Sequence, residues 1–142
     1  MITITVSTVV SAVKRHLSII GKRLYNKDGK NLFSDITVSS AEDPIFEQYI
    51  NSAAQDVEAM LKQFISGSTY GDDIKMKISN TRGDADFEAR TKDYAESYIT
   101  LNTVGEYLSM LHPDLAQKYQ RDAQQRMEML IAYVFYKKPP TT

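Results

Sequence analysis

Three carboxylates alternate along one short segment and are the residues best placed to do chemistry. Asp84, Asp86 and Glu88 are spaced two apart, so on a β-strand they would share one face. Carboxylate oxygens bind hard cations, and a small hydrolase that holds a cation here is one alternative. The spacing is not that of a calcium loop, and lysines on a facing strand would pair with two of the three. We therefore expect ion pairs and predict no metal site.

Histidine and cysteine, which serve as metal ligands and in catalysis, are scarce in this chain. The chain has two histidines, His16 and His112, and no cysteine. Neither histidine has the neighbours of a zinc motif, so each is expected to be exposed or to cap a helix. No glycine-rich phosphate loop and no Ser, His and acid grouping occurs at recognisable spacing. The sequence predicts no catalytic site and no cofactor, and we expect a protein that is not an enzyme and that binds other proteins.

Arg82 and two tyrosines are candidate interaction residues. Arg82 begins the tripeptide Arg-Gly-Asp, which integrin ligands also carry, although a turn with Gly at its last position explains the same residues. Nine tyrosines are present, several of them in the C-terminal half. Tyrosine is enriched at interfaces, so Tyr133 and Tyr136 are candidates for contact with a partner. The alternative is that such tyrosines lie at the edge of the core with hydrated hydroxyls.

The charge is distributed unevenly along the chain. Net charge is -1, but the first 34 residues hold six basic groups and one acid, whereas the remainder holds eleven basic and seventeen acidic residues. The basic candidates for contact are Lys14, Arg15, Lys22 and Arg23. Such a chain can meet a copy of itself head to tail, or offer its basic end to an acidic partner or to nucleic acid. A solvated helix face is the alternative.

Length and composition indicate one globular domain over residues 1–142. A chain of this size buries a sizeable core without disulfides, and the lack of cysteine suits a reducing cytosol. Residues 1–13 lack the basic start of a signal peptide. No apolar stretch approaches the roughly 18 residues of a membrane span, so we expect no membrane association.

Apolar spacing predicts four helices. The first begins near Ser7 and ends around Gly21 to Gly29, with 1–6 as an alternative short strand and a polar loop following to Glu42. Asp43-Pro44 opens the second, whose apolar stripe runs for about 31 Å and ends before Gly67. The third covers about Lys92 to Met110. The fourth covers about Pro113 to Lys137.

A change to two-residue alternation predicts a β-hairpin between the second and third helices. Its strands would be Asp72–Ile78 and Ala85–Arg90, joined by a turn at 80–83. This register predicts the opposite pairs Met76 with Phe87, Ile78 with Ala85, Lys77 with Asp86, Lys75 with Glu88, and Asp73 with Arg90. The predicted fold is mainly α: a four-helix bundle-like domain with one hairpin.

Segments of the chain resemble the head-tail connector proteins of tailed phages, also called head completion proteins or DNA packaging adaptors. Residues 13–19, Val-Lys-Arg-His-Leu-Ser-Ile, are similar to the opening of that family. Residues 42–61 resemble its second helix, with Glu-Asp-Pro-Ile followed by the Ala-Ala and Val-Glu pairs. Residues 130–137 are similar to its closing apolar helix. The chain departs from the family in a longer loop from Asn26 to Glu42, and the hairpin and the Lys92 to Met110 helix are not part of the matched pattern.

The resemblance implies a structural protein of the virion or of a prophage in the bacterial cytoplasm. Its copies would form a ring of about a dozen subunits on the portal and would join the head to the tail. Portal and tail proteins would be its partners, and DNA would pass through the ring without sequence-specific binding. The alternative from another class is a small nucleic-acid-binding regulator that uses the basic first helix.

Overall fold

The computed structural model describes residues 1–28 and 43–135, and the side chains of 1–20 and 43–135. The elements are β1 (Ile2–Thr5), α1 (Val6–Asp28), α2 (Asp43–Met60), β2 (Ile65–Thr69), β3 (Asp73–Ile78), α3 (Phe87–Leu108) and α4 (Pro113–Phe135). The fold is mainly helical with one hairpin between α2 and α3, which confirms the predicted fold class. The expected loop up to Glu42 and the end of the last helix at Lys137 lie outside the described residues.

The sheet has three antiparallel strands in the order β1, β3, β2. On β1, Ile2 and Ile4 are buried and pair across from Met76 and Ile74 of β3. Side chains alternate between the faces of a strand, so this apolar set packs on the helices and the Thr and Lys residues between them face outward. The first residues form a strand rather than an extension of α1, as the alternative interpretation of 1–6 held.

The predicted hairpin partner of β3 is wrong. β3 forms as expected, but it pairs with β2, which precedes it, in the register Thr69 with Lys75 and Ile65 with Ile78. Residues 85 and 86 precede α3, and Phe87 is its first residue. Ala85 and Ala89 are exposed, so only Phe87 of the expected apolar face is buried. The register that opposed Met76 to Phe87 therefore does not exist, and neither do its three charge pairs.

The second helix is shorter than its apolar stripe predicts. It ends at Met60, and the backbone N–H groups of Phe64 and Ile65 bond to the carbonyl of Leu61 in a turn. Leu61 is buried and Phe64 packs against the core. The turn keeps both apolar side chains on the core side. The apolar spacing of the sequence therefore continues past Met60, although the helix has ended. The third helix, by contrast, begins five residues before the predicted Lys92.

Helix α3 lies at the centre of the domain and packs against α1, α2, α4 and β1. Its buried residues are spread around much of its circumference: Phe87, Thr91, Ala95, Tyr98, Ile99, Thr100, Thr103, Val104, Gly105 and Leu108. At Gly105 a Cβ atom would lie 2.9 Å from Gln120 Cγ. A side chain there would force the Gln120 side chain to shift and would crowd the Gln120 backbone N at 3.3 Å, so the glycine eases the close approach of the two helices.

Candidate interaction surfaces

The three alternating carboxylates do not form a site, because each one pairs with a different cation. Asp84 Oδ2 lies 3.1 Å from Arg82 Nε, and Asp86 Oδ2 lies 2.9 Å from Arg90 Nε one helical turn later. Glu88 pairs with the amino group of Met1 at the start of β1. The predicted lysine partners are therefore wrong, although the expectation of ion pairs is confirmed. Among the described residues, no group of three or more His, Cys, Asp or Glu side chains could hold a metal ion.

The Arg-Gly-Asp tripeptide lies in the connection from β3 to α3, not at the tip of a hairpin. Asn80 Oδ1 accepts hydrogen bonds from the backbone N–H groups of Arg82 and Gly83, at 3.1 and 2.7 Å. Asn80 Nδ2 donates to the carbonyl of Asp84 at 2.9 Å. Gly83 has φ +73°, a conformation that glycine adopts without strain. The residues of the tripeptide thus serve turn geometry.

This connection is attached to the end of α4. Thr81 Oγ1 donates to the carbonyl of Val134 at 2.6 Å, and Arg82 donates to the carbonyl of Tyr133 at 3.4 Å. The two donors hold the β3–α3 connection against the last turn of α4.

Arg82 also stacks on Tyr133. Its guanidinium carbon lies 4.7 Å from the centre of the Tyr133 ring, which is a cation–π contact. The Phe87 ring stacks on Tyr133 with a centroid distance of 5.8 Å, and Tyr133 is only 8% exposed. Burial, followed by the carboxylates of Asp86 and Asp84, raises the pKa of Tyr133. The structure places Tyr133 in the core and Arg82 against it, while Tyr136 lies outside the described residues.

The basic candidates of α1 are not all equivalent. Lys14 Nζ lies 2.6 Å from Asp43 Oδ1 at the start of α2, an ion pair without the direction of a good hydrogen bond. Arg15 is exposed on the same helix. The backbone of Lys22 and Arg23 is helical, but their side chains lie outside the described set. Of the four, Lys14 is therefore engaged within the domain and Arg15 faces solvent.

The histidines have structural contacts. His112 Nδ1 accepts a hydrogen bond from the backbone N–H of Leu115 at 3.4 Å, as the predicted capping role requires. The His16 ring meets the edge of Tyr119 with a centroid distance of 6.0 Å. Burial, followed by the charge of Arg15, lowers the pKa of His16. His16 lines an open groove between helices, and Asp93, Glu96 and Arg126 line the same groove.

The outward face of the sheet carries two lysines that are not among the predicted interaction residues. Lys75 and Lys77 are exposed on β3, the central strand. Thr3 of β1 and Thr69 of β2 lie on either side of Lys75. A groove of about 520 Å³ runs along this face, lined by Met1, residues 66–69 and the two lysines. The two-residue alternation of β3 already predicted that both lysines point outward. The groove beside them could not be predicted, because the sequence did not indicate that β2 pairs with β3.

The turn between α3 and α4 exposes apolar side chains. Met110 is 82% exposed and Leu111 is 47% exposed, at the end of the domain away from the Arg82–Tyr133 contact. Single exposed apolar residues are ordinary, and these two lie next to one another. None of the described helices is long and apolar enough to span a lipid bilayer.

Comparisons of the chain with protein-family models, with curated proteins and with solved structures found no significant match.

Proposed function

We propose that this chain is a structural head-tail connector of a tailed phage or prophage. Its copies assemble into a ring on the portal and join the capsid to the tail. The protein acts through contacts with copies of itself and with portal and tail proteins, and it carries out no chemical reaction. DNA passes through the ring without sequence-specific binding, and the site of action is the virion or the cytoplasm of the host bacterium.

The contact between Lys14 and Asp43 carries this proposal. These residues belong to the two segments that resemble the connector family, and residues 20–41 separate the segments along the chain. Lys14 Nζ and Asp43 Oδ1 lie 2.6 Å apart. Ile19 and Ile45 of these segments are exposed, but most of their other apolar residues are buried: Val13, Leu17, Ile50, Ala53, Ala54, Val57 and Leu61. The resemblance thus falls on two helices that pack as one unit, which supports a common fold rather than two unrelated amphipathic patterns.

A nucleic-acid-binding regulator remains the alternative from another class. It requires basic side chains that are free to contact phosphates, and Lys14 is paired with Asp43. Such a protein binds DNA with an affinity that falls steeply as salt rises. A fluorescence titration of the chain with duplex DNA at about 50 and 200 mM salt separates the two functions. The connector proposal predicts no saturable, sequence-selective binding in this titration.

Disruption of the gene in its phage or prophage tests the connector function in the cell. Without the connector, filled or emptied heads and complete tails accumulate separately in the lysate, and electron microscopy counts them. Expression of the intact chain from a plasmid restores joined particles. Tailed virions in normal number after disruption would contradict the proposed function.

A further inference from the structure

Within the part of the chain that the structure describes, no strand pairs with the outer edge of β1 or of β2, and both edges are suited to pairing with another strand. Because the N–H of Val6 bonds to the carbonyl of Asp72 at 3.0 Å, the alternating bonds of an antiparallel pair leave the backbone groups of Thr3 and Thr5 pointing away from the sheet. At the other edge, Ser79 N–H bonds to the Phe64 carbonyl, and Lys77 and Lys75 lie opposite Gly67 and Thr69. By the same alternation, the backbone N–H and C=O of Ser68 point away from β3. No backbone bond from another described element reaches these outward groups.

Among the described residues, the two edges carry little of the usual protection against strand addition. Proteins block such edges with charged residues, prolines, bulges or a covering element. β1 reads Ile-Thr-Ile-Thr and β2 reads Ile-Ser-Gly-Ser-Thr, so neither contains a charge or a proline. β2 has an irregularity between Ile65 and Gly67, which leaves the end at Ser68 and Thr69 regular. The charges of the sheet lie instead on β3, where they cannot hinder pairing at the edges.

The directions of the strands determine how two copies can join. β1 and β2 are both antiparallel to β3 and therefore run parallel to each other. When copies are related by rotation about an axis along the strands, β2 of one copy meets β1 of the next in parallel. This contact uses two different surfaces, so it repeats from copy to copy and can close into a ring. Pairing of β1 with β1 would be antiparallel and would stop at a dimer.

We propose that copies of this chain join by adding β1 of one copy to the β2 edge of its neighbour. This inference rests on the proposed function, since it assigns the surfaces by which the ring forms. The partner is a second copy of the chain, and the contact is made by backbone hydrogen bonds. Each added copy extends one continuous sheet, with the row of Lys75 and Lys77 repeated on its outward face.

Engineered disulfides test this contact directly, because the chain has no cysteine of its own. Thr3 and Thr69 both flank Lys75 on the outward face. Within one copy they are two strand spacings apart, about 9.6 Å, beyond the reach of a disulfide, about 7 Å between Cα atoms. A bond between Thr3→Cys and Thr69→Cys can therefore form only between copies. Thr3→Cys with Gly67→Cys covers the neighbouring register on the same face.

The expected result of mild oxidation is a ladder of cross-linked species from at least one of the two double variants on a denaturing gel. Thr3→Cys mixed with the matching β2 variant should give a mixed dimer, whereas each single variant stays uncross-linked. Gln124→Cys is the control: Gln124 is exposed on α4, and the cross-linking of this variant measures disulfides formed by random collision between copies. No cross-link above the Gln124→Cys level with either double variant would overturn the inference, and so would a dimer from Thr3→Cys alone.

Electron microscopy of the same variants separates this inference from the proposed function. A ring on the portal without any disulfide ladder would overturn the strand contact and leave the connector function standing. A ladder from a protein that does not bind the portal would overturn the connector function and leave the strand contact standing. Unfolding curves that match those of the unsubstituted chain establish that the cysteines have not altered the fold.

Discussion

Lys14 Nζ lies 2.6 Å from Asp43 Oδ1 and so joins the middle of α1 to the first residue of α2. Asp43 is also the acid in the first turn of its helix, where a negative charge interacts favourably with the helix dipole. Both side chains are about one-third exposed, so solvent weakens the attraction. The pair contributes to stability and also sets where the second helix begins against the first.

Substitution of Asp43 by Ala is predicted to lower the free energy of unfolding by about 1 kcal/mol, since it removes both the ion pair and the charge at the helix start. Urea unfolding measures this change. Glu47→Ala, an exposed position one turn later, is the control and should cost less. The double variant with Lys14→Ala should show a coupling of about 0.2–1 kcal/mol, and purely additive losses would contradict the pairing.

Substitution of Arg82 by Met is predicted to lower the free energy of unfolding by about 1–2 kcal/mol. The change removes the cation–π contact with Tyr133 and a donor to the end of α4, while it keeps much of the aliphatic volume. Arg90→Met is the matched control, because that arginine forms an exposed ion pair with Asp86 and should cost under about 0.5 kcal/mol. Equal losses for both variants would show that the Tyr133 contact contributes nothing.

Two fully buried threonines of α3 offer a matched comparison. Thr103 Oγ1 donates to the carbonyl of Ile99 at 2.7 Å, whereas Thr91 Oγ1 has no hydrogen-bond partner among the described residues. Thr91→Val is predicted to leave the free energy of unfolding unchanged or to raise it by up to about 1 kcal/mol, because an unpaired buried hydroxyl is removed. Thr103→Val should lower it by about 1 kcal/mol. Urea midpoints in the reverse order would disprove this assignment.

His16 is predicted to make the fold less stable in mild acid. Burial, followed by the charge of Arg15, lowers its pKa in the folded chain from the usual 6.5, so the unfolded chain binds the proton more readily. The contribution of His16 to the free energy of unfolding therefore falls as pH drops below about 6.5, and it stops changing below the folded pKa. His16→Gln should flatten this dependence in urea midpoints taken between about pH 7.5 and 5.5. An unchanged slope would contradict it.

Elements with a local sequence signal, such as a helix start or a strand alternation, were predicted correctly. Asp43-Pro44 predicted the start of α2, and the alternation of Ile74 and Met76 predicted β3. β2 has no such signal, because it contains Gly67 and two serines, which are poor strand formers. Its pairing with β3 comes from tertiary contact. The alternation at 85–90 predicted a strand, but residues 87–90 form the start of α3. Of the apolar residues at 85–90, only Phe87 is buried in the core.

The interaction surfaces were harder to predict because their members are distant in sequence. Arg82 and Tyr133 are separated by 51 residues, and no local pattern indicates that a loop arginine will stack on a ring of the last helix. The partners of the carboxylates were missed for the same reason, since Glu88 pairs with the amino group of Met1. The capping role of His112 was predicted because it depends only on the neighbouring Pro113 and the start of a helix.

Electron microscopy of the chain mixed with the portal protein of the same phage tests the connector function most directly. We expect particles in which a closed ring of copies lies on the axis of the portal, on the side that receives the tail. Portal particles that show no added density at a saturating excess of the chain would contradict it.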